Sequence, residues 1–416
     1  MVSSTHTAPR MHVLDVLRFG AALAVVLYHF TATPTADRYW GVDVSVLFAG
    51  VNEVTRYGWL AVEAFFVISG FAILWSVQGR TLAQFTGSRV GRLYPAFWAC
   101  VAATAVLQSL WDGGRHLSAA ETLANATMAP DLFGAEPSQV VYWTLLVELK
   151  FYLLIGVALA VGPLTRGRAI ALALGWPAVG MVISGLGYPW LAELLSARHA
   201  VYFGIGMLLF VLWRDLTGRS EEPSVGRRAP STRAVGAALA VLVVAGAERV
   251  VHAAGLATEL QGVEVDPVVS VGVLLAGIAL VAAATHPRAT VRHRGAASAC
   301  VTAGALTYPL YLVHTQFGWA VTEWLSTAGV GTGPTLAAAV GVSLLLAAAI
   351  HHGVEAPSSR PLRRAVTERL QDAAPLARPA LPDDGRPTPP GGAAHDHGRV
   401  VAGTTAGTAP LHAMLR

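Results

Sequence analysis

Leu14–Phe30 reads LDVLRFGAALAVVLYHF, an apolar run with Arg18 near its start and His29 near its end. The eleven-residue step from one to the other is about three helical turns, or roughly 16 Å of rise. At about 100° per residue the step returns to within about 20° of its start, so both side chains share one helix face. Ionisable groups inside a membrane are costly and are kept where they do chemistry or transport. Whether this helix lies in a membrane is decided by the rest of the chain.

Of the 416 residues 54% are hydrophobic and 13% charged, against roughly 25% charged in soluble domains. Apolar runs of spanning length fall near 58–77, 94–111, 140–161, 169–187, 198–213, 234–251, 268–285, 299–325 and 334–351. With the first they make about ten transmembrane helices, an all-α, polytopic integral membrane protein. The patch Val42–Val51 is too short to span. The first run holds no convincing cleavage site and is expected to be retained rather than removed as a signal peptide. Residues 1–11 form a polar leader, 12–365 a membrane domain, and 366–416, rich in Pro, Ala and Gly, a disordered cytoplasmic tail. Nothing foldable is expected after residue 365. The net charge of +4 sits in short arginine clusters between apolar runs and does not indicate nucleic-acid binding. Cys100 and Cys300 offer neither a metal spacing nor a disulfide framework.

The arginines also orient the chain. One set of connections carries Arg80, Arg89 and Arg92, then Arg166 and Arg168, then Arg214, Arg219, Arg227, Arg228 and Arg233. It continues with Arg288, Arg292 and Arg294 and ends with Arg360, Arg363 and Arg364. The alternate set is mostly acidic, with Asp112, Glu121, Asp131, Glu136, Glu259, Glu264 and Asp266. The positive-inside rule therefore puts both termini in the cytoplasm. Arg18 then lies toward the cytoplasm, near Arg89 and Arg92 of SRVGRLYP. His29, Glu63, Glu148 and His314, from four different runs, are expected at comparable depth, outward of the midplane or close to it.

A histidine beside a carboxylate suits general-base chemistry, because the carboxylate orients the imidazole and stabilises its charged form. Arginines at a cytoplasmic mouth suit a phosphate-bearing ligand held by charge-assisted hydrogen bonds. A proton-coupled transporter or flippase would use the same residue types, and would be expected to show an inverted repeat with broken helices. The sequence shows none. The aromatic residues Phe65, Phe66, Trp143, Phe151, Tyr152, Tyr308 and Tyr311 read as packing, and so does Ser69.

Taken in order, these segments resemble the membrane-bound acyltransferase family 3, O-acyltransferases of sugars and other hydroxyl-bearing acceptors. Arg18 and His29 match its R-x10-H signature. YGWLAVEAFFVISGF (Tyr57–Phe71), SRVGRLYPAFW (Ser88–Trp98) and YWTLLVELKFYL (Tyr142–Leu153) are similar to its next three motifs. LTYPLYLVH (Leu306–His314) and VEAPSSRPLRR (Val354–Arg364) are similar to its late segments. Glu63 stands where an Asp is common, and Thr144 where Ser is frequent.

The resemblance implies a multi-pass cell-membrane enzyme with His29 as catalytic histidine, Arg18 as its essential partner, and Glu148 and His314 as further site residues. Arg89 and Arg92, with Arg18, would hold acyl-CoA, a co-substrate rather than a bound cofactor; no metal is expected. A carboxylate, Glu148 first and Glu63 second, would orient His29. The acceptor would be a hydroxyl of a surface glycan or of a macrolide-type natural product. The GC-rich bias of the composition and the expected lack of a fused domain lean toward the natural product, and so toward antibiotic biosynthesis.

Overall fold

A computed structural model describes residues 11–218, 230–291 and 293–373. The fold is all-α, with no strand among the described residues. The first crossings are α1 (His12–Thr31), α2 (Ala61–Val77) and α3 (Leu82–Leu110). Then come α4 (Trp143–Ala160), α5 (Arg166–Gly185), α6 (Ala200–Leu216) and α7 (Thr232–Gln261). The series closes with α8 (Pro267–Thr285), α9 (Arg294–Thr327), α10 (Thr332–Ile350) and a polar helix, α11 (Ala356–Ala373). The α1–α2 connection holds short helical turns, among them Asp37–Trp40, Val44–Leu47 and Ala49–Thr55.

Nine helices among the described residues are long and apolar enough to cross a membrane, where the sequence predicts ten. The difference is α6, at the expected 198–213 run, which has 17 residues, or about 26 Å of rise; α2 is equally short but runs on from the turns before it as one span, Ala49–Val77. Protein encloses α6: it packs on α2, α5 and α7, and almost every residue from Ala200 to Val211 is buried. Its approach to α2 depends on two glycines. A Cβ on Gly70 would run into the backbone of Phe203, and one on Gly206 into that of Val67.

Local chemistry sets several helix ends. Thr81 and Gln84 form a capping box at the start of α3, closing two of its open backbone donors. Asp266 accepts from the amides of Val268 and Val269 at the start of α8, with Pro267 as the first helical residue. Both α3 and α9 begin earlier than their apolar runs, because a helix continues past the hydrocarbon with polar residues that hydropathy does not register.

The expected tail needs correction. Residues 366–373 are the end of α11, which docks against α3. Gly87 and Gly91 of α3 face Thr367, Arg363 and Ser359 of α11 so closely that neither has room for a Cβ. A polar helix held by packing rather than by an apolar stretch gives no hydropathy signal. The remainder of the tail, 374–416, and residues 1–10 of the leader lie outside the described residues.

Candidate active site

An elongated cavity of about 240 Å³ lies between α1, α2, α3, α4 and α9. Along α2 its lining runs from Val62 to Ser76, a fourteen-residue step of about 21 Å. Arg18, Arg89 and Arg92 line it, together with one carboxylate, Glu148. Ser76, the arginines of α3 and Tyr152 belong to the end of the cavity toward the arginine-rich connections. Val62, Phe65, Thr144 and Tyr311 belong to the opposite end, which the arginine bias of the sequence makes the expected outer end.

Glu148 is held by hydroxyls. Its Oε1 accepts from Ser69 Oγ at 2.8 Å and from Tyr152 OH at 2.5 Å. Tyr152 follows Glu148 by four residues, so one face of α4 presents both. The Arg89 guanidinium lies 5.7 Å from the centre of the Tyr152 ring and 5.8 Å from that of Phe85. These aromatic faces hold the cation without neutralising it. The charged lining is thus three guanidinium groups and one carboxylate, a strongly positive cavity.

The two histidines meet beyond the outer end. His29 and His314 have ring centroids 5.3 Å apart. Helices α1 and α9 pack closely here because Gly318 leaves room for the Phe30 ring, where any Cβ would collide. Trp319 Nε1 donates to the His29 carbonyl at 3.1 Å and pins the same turn. His314 is fully buried, and its Nδ1 lies 3.0 Å from the Tyr311 carbonyl oxygen. A carbonyl can only accept, so the proton sits on Nδ1 and Nε2 presents its lone pair. That Nε2 and His29 Nδ1 are both buried without a hydrogen-bond partner.

The carboxylate expected beside His29 is not there among the described residues. Glu148 lies with the arginines, where cations and hydroxyl donors compensate its charge. Glu63 is buried against His199, with Oε2 3.7 Å from Nδ1, while Phe66 and Trp143 pack on that imidazole at 5.1 and 5.3 Å. The four groups expected at one level therefore separate into a histidine pair, a glutamate in the cavity, and a glutamate–histidine pair elsewhere. Ser69, Tyr152, Thr144 and Tyr311, which read from the sequence as packing or as a minor departure from a motif, line the cavity. The four-residue step from Glu148 to Tyr152 and the three-residue step from Tyr311 to His314 were the available signals. Among the described residues no cluster of three or more His, Cys, Asp or Glu is arranged to hold a metal ion.

A family model described as an acyltransferase domain matches residues 11–352, a span that holds every residue of the cavity and of the histidine pair. No curated protein and no solved structure matches the chain.

Proposed function

Because the chain belongs to this acyltransferase family, we propose that it is an integral-membrane O-acyltransferase that moves a short acyl group from acyl-CoA to an acceptor hydroxyl. The observation that carries the reading is one cavity running from three arginines to the last turn before a histidine pair. A donor with phosphates at one end and a slim thioester arm at the other suits that shape. The guanidinium groups would hold the phosphates by charge-assisted hydrogen bonds, and the arm would extend toward the outer end.

His29 acts as general base. The acceptor oxygen bonds to the thioester carbonyl carbon, and its proton passes to the imidazole. When the C–S bond breaks, sulfur leaves with the bonding pair and takes that proton, so ester and free CoA thiol are the products. His314, whose Nε2 is buried without a partner and whose ring lies 5.3 Å from that of His29, stabilises the charged imidazole directly or through one water. A buried histidine partner here fills the orienting role that the sequence suggested for a carboxylate.

The acceptor is a hydroxyl of a surface glycan or of a macrolide-type natural product. Membranes holding the protein are supplied with radiolabelled acetyl-CoA and candidate acceptors of both kinds. Label should move to an acceptor with the wild type and not with His29→Ala. Full transfer by His29→Ala would overturn the assignment, and His29-dependent passage of unmodified acceptor would favour a transporter.

A further inference from the structure

Thr144 and Tyr311 meet through their hydroxyls, Oγ1 to OH at 2.8 Å, at the outer end of the cavity. Both are buried. Thr144 Oγ1 also donates to the Val141 carbonyl at 2.9 Å. Each hydroxyl carries one proton. With that of Thr144 given to Val141, the Tyr311 proton points at Thr144. If a better acceptor comes alongside, Tyr311 can turn its O–H away while Thr144 keeps its own bond. Neither donor is left unpaired in either arrangement, so the exchange avoids the cost of a buried orphan.

Two further contacts fix this hydroxyl relative to the histidines. The Tyr311 carbonyl receives the Nδ1–H of His314, so one helical turn carries both the phenol and the imidazole. The Tyr311 ring packs edge-on against Phe65 at 6.0 Å, which restricts where the oxygen can go.

We propose that Tyr311 is a further catalytic residue, donating its hydroxyl hydrogen bond to the thioester carbonyl oxygen as that oxygen becomes an oxyanion, with Thr144 holding the proton between turnovers. The inference rests on the acyl-CoA reading of the same cavity. As the acceptor oxygen bonds to the carbonyl carbon and His29 takes its proton, the C=O π pair moves onto the carbonyl oxygen. Tyr311 keeps its proton throughout and only hydrogen-bonds that oxygen. The pair then returns, and the C–S bond breaks as described. A thioester carbonyl accepts weakly and an oxyanion strongly, so the bond favours the transition state over the ground state.

The test needs no knowledge of the acceptor. Detergent-purified full-length wild type, Tyr311→Phe and Thr144→Val are loaded with [1-13C]acetyl-CoA, and the bound carbonyl stretch is read by difference infrared spectroscopy. The stretch should lie below its free value in the wild type and in Thr144→Val, and return to it in Tyr311→Phe. Where label is transferred, Tyr311→Phe should lower kcat by about a hundred- to a thousand-fold with the KM for donor unchanged, and Thr144→Val by only a few-fold. The phenyl ring preserves the Phe65 contact and the carbonyl to His314, so a purely structural role would leave Tyr311→Phe close to wild type. An unshifted stretch in the wild type, or the same shift in Tyr311→Phe, overturns the proposal. Failure of acetyl-CoA to bind the wild type overturns the donor reading, and this inference with it.

Discussion

His29 of α1 and His314 of α9 face each other with ring centroids 5.3 Å apart, and each has a buried nitrogen with no partner. If they act as one unit, their losses do not add. His314→Ala should cost about 10²–10⁴ in acyl-transfer rate, and adding it to His29→Ala should cost little more. Initial rates of the two single variants and the double variant check this. Multiplying effects would mean that the histidines act separately.

The arginine cavity makes a prediction about donor binding alone. Arg18→Ala, Arg89→Ala and Arg92→Ala should each weaken CoA binding about tenfold or more, the loss of one charge-assisted hydrogen bond of about 1.5–3 kcal/mol. Added salt should weaken binding to the wild type, most through exposed Arg92. Glu148→Gln should bind CoA at least as tightly, because it removes the one negative charge in the lining. Calorimetry with CoA in detergent separates these outcomes.

Glu63 and His199 pair away from the cavity lining. Glu63→Leu is therefore expected to keep the transfer rate within a few-fold and to leave stability unchanged or raised, because Glu63 Oε2 and His199 Nδ1 are buried with no hydrogen bond to lose. Thermal melts in detergent beside rate measurements distinguish this from a direct part in the reaction, which would collapse the rate instead.

Packing gives a further expectation. Gly206→Ala would force a methyl into the backbone of Val67, and overpacking of this kind costs about 1–3 kcal/mol. The melting temperature should drop. Gly236→Ala, where a Cβ meets nothing, should change it little.

The connection between α3 and α4 supplies a pH prediction. The amide and hydroxyl of Ser118, with Arg115 beside them, hold the Glu121 carboxyl below the usual carboxylate range. Because the folded value is depressed, its contribution to stability is complete above the unfolded value of about 4.3. It is lost as pH falls through the folded value. The melting advantage of wild type over Glu121→Gln should thus be full at neutral pH, begin to fall near the unfolded value of about 4.3, and vanish only once the pH is below the depressed folded value. An advantage that persists in acid would rule out the carboxylate as its source.

Much of this was legible in the chain and some was not. The Arg18–His29 spacing, the apolar runs and the arginine bias gave the first helix, the all-α bundle and its expected direction, because each is a property of one helix or of its flanks. Depth is also a property of one helix, whereas facing is a property of two. Glu148 was expected outward beside a histidine, yet it turns to Ser69 and Tyr152 among the arginines. Nothing within its own helix told which neighbour would offer donors. His199 as the partner of Glu63 was hidden for the same reason. The polar helix α11 was hidden because glycines on another helix hold it.

Those glycines have one more effect. Gly87 and Gly91 alternate with Arg89 and Arg92 on two consecutive turns of α3, and α11 presses directly on the glycines. A shift of α11 across this contact would therefore have to be taken up by the arginine-bearing turns, because the glycines leave no slack between the two helices.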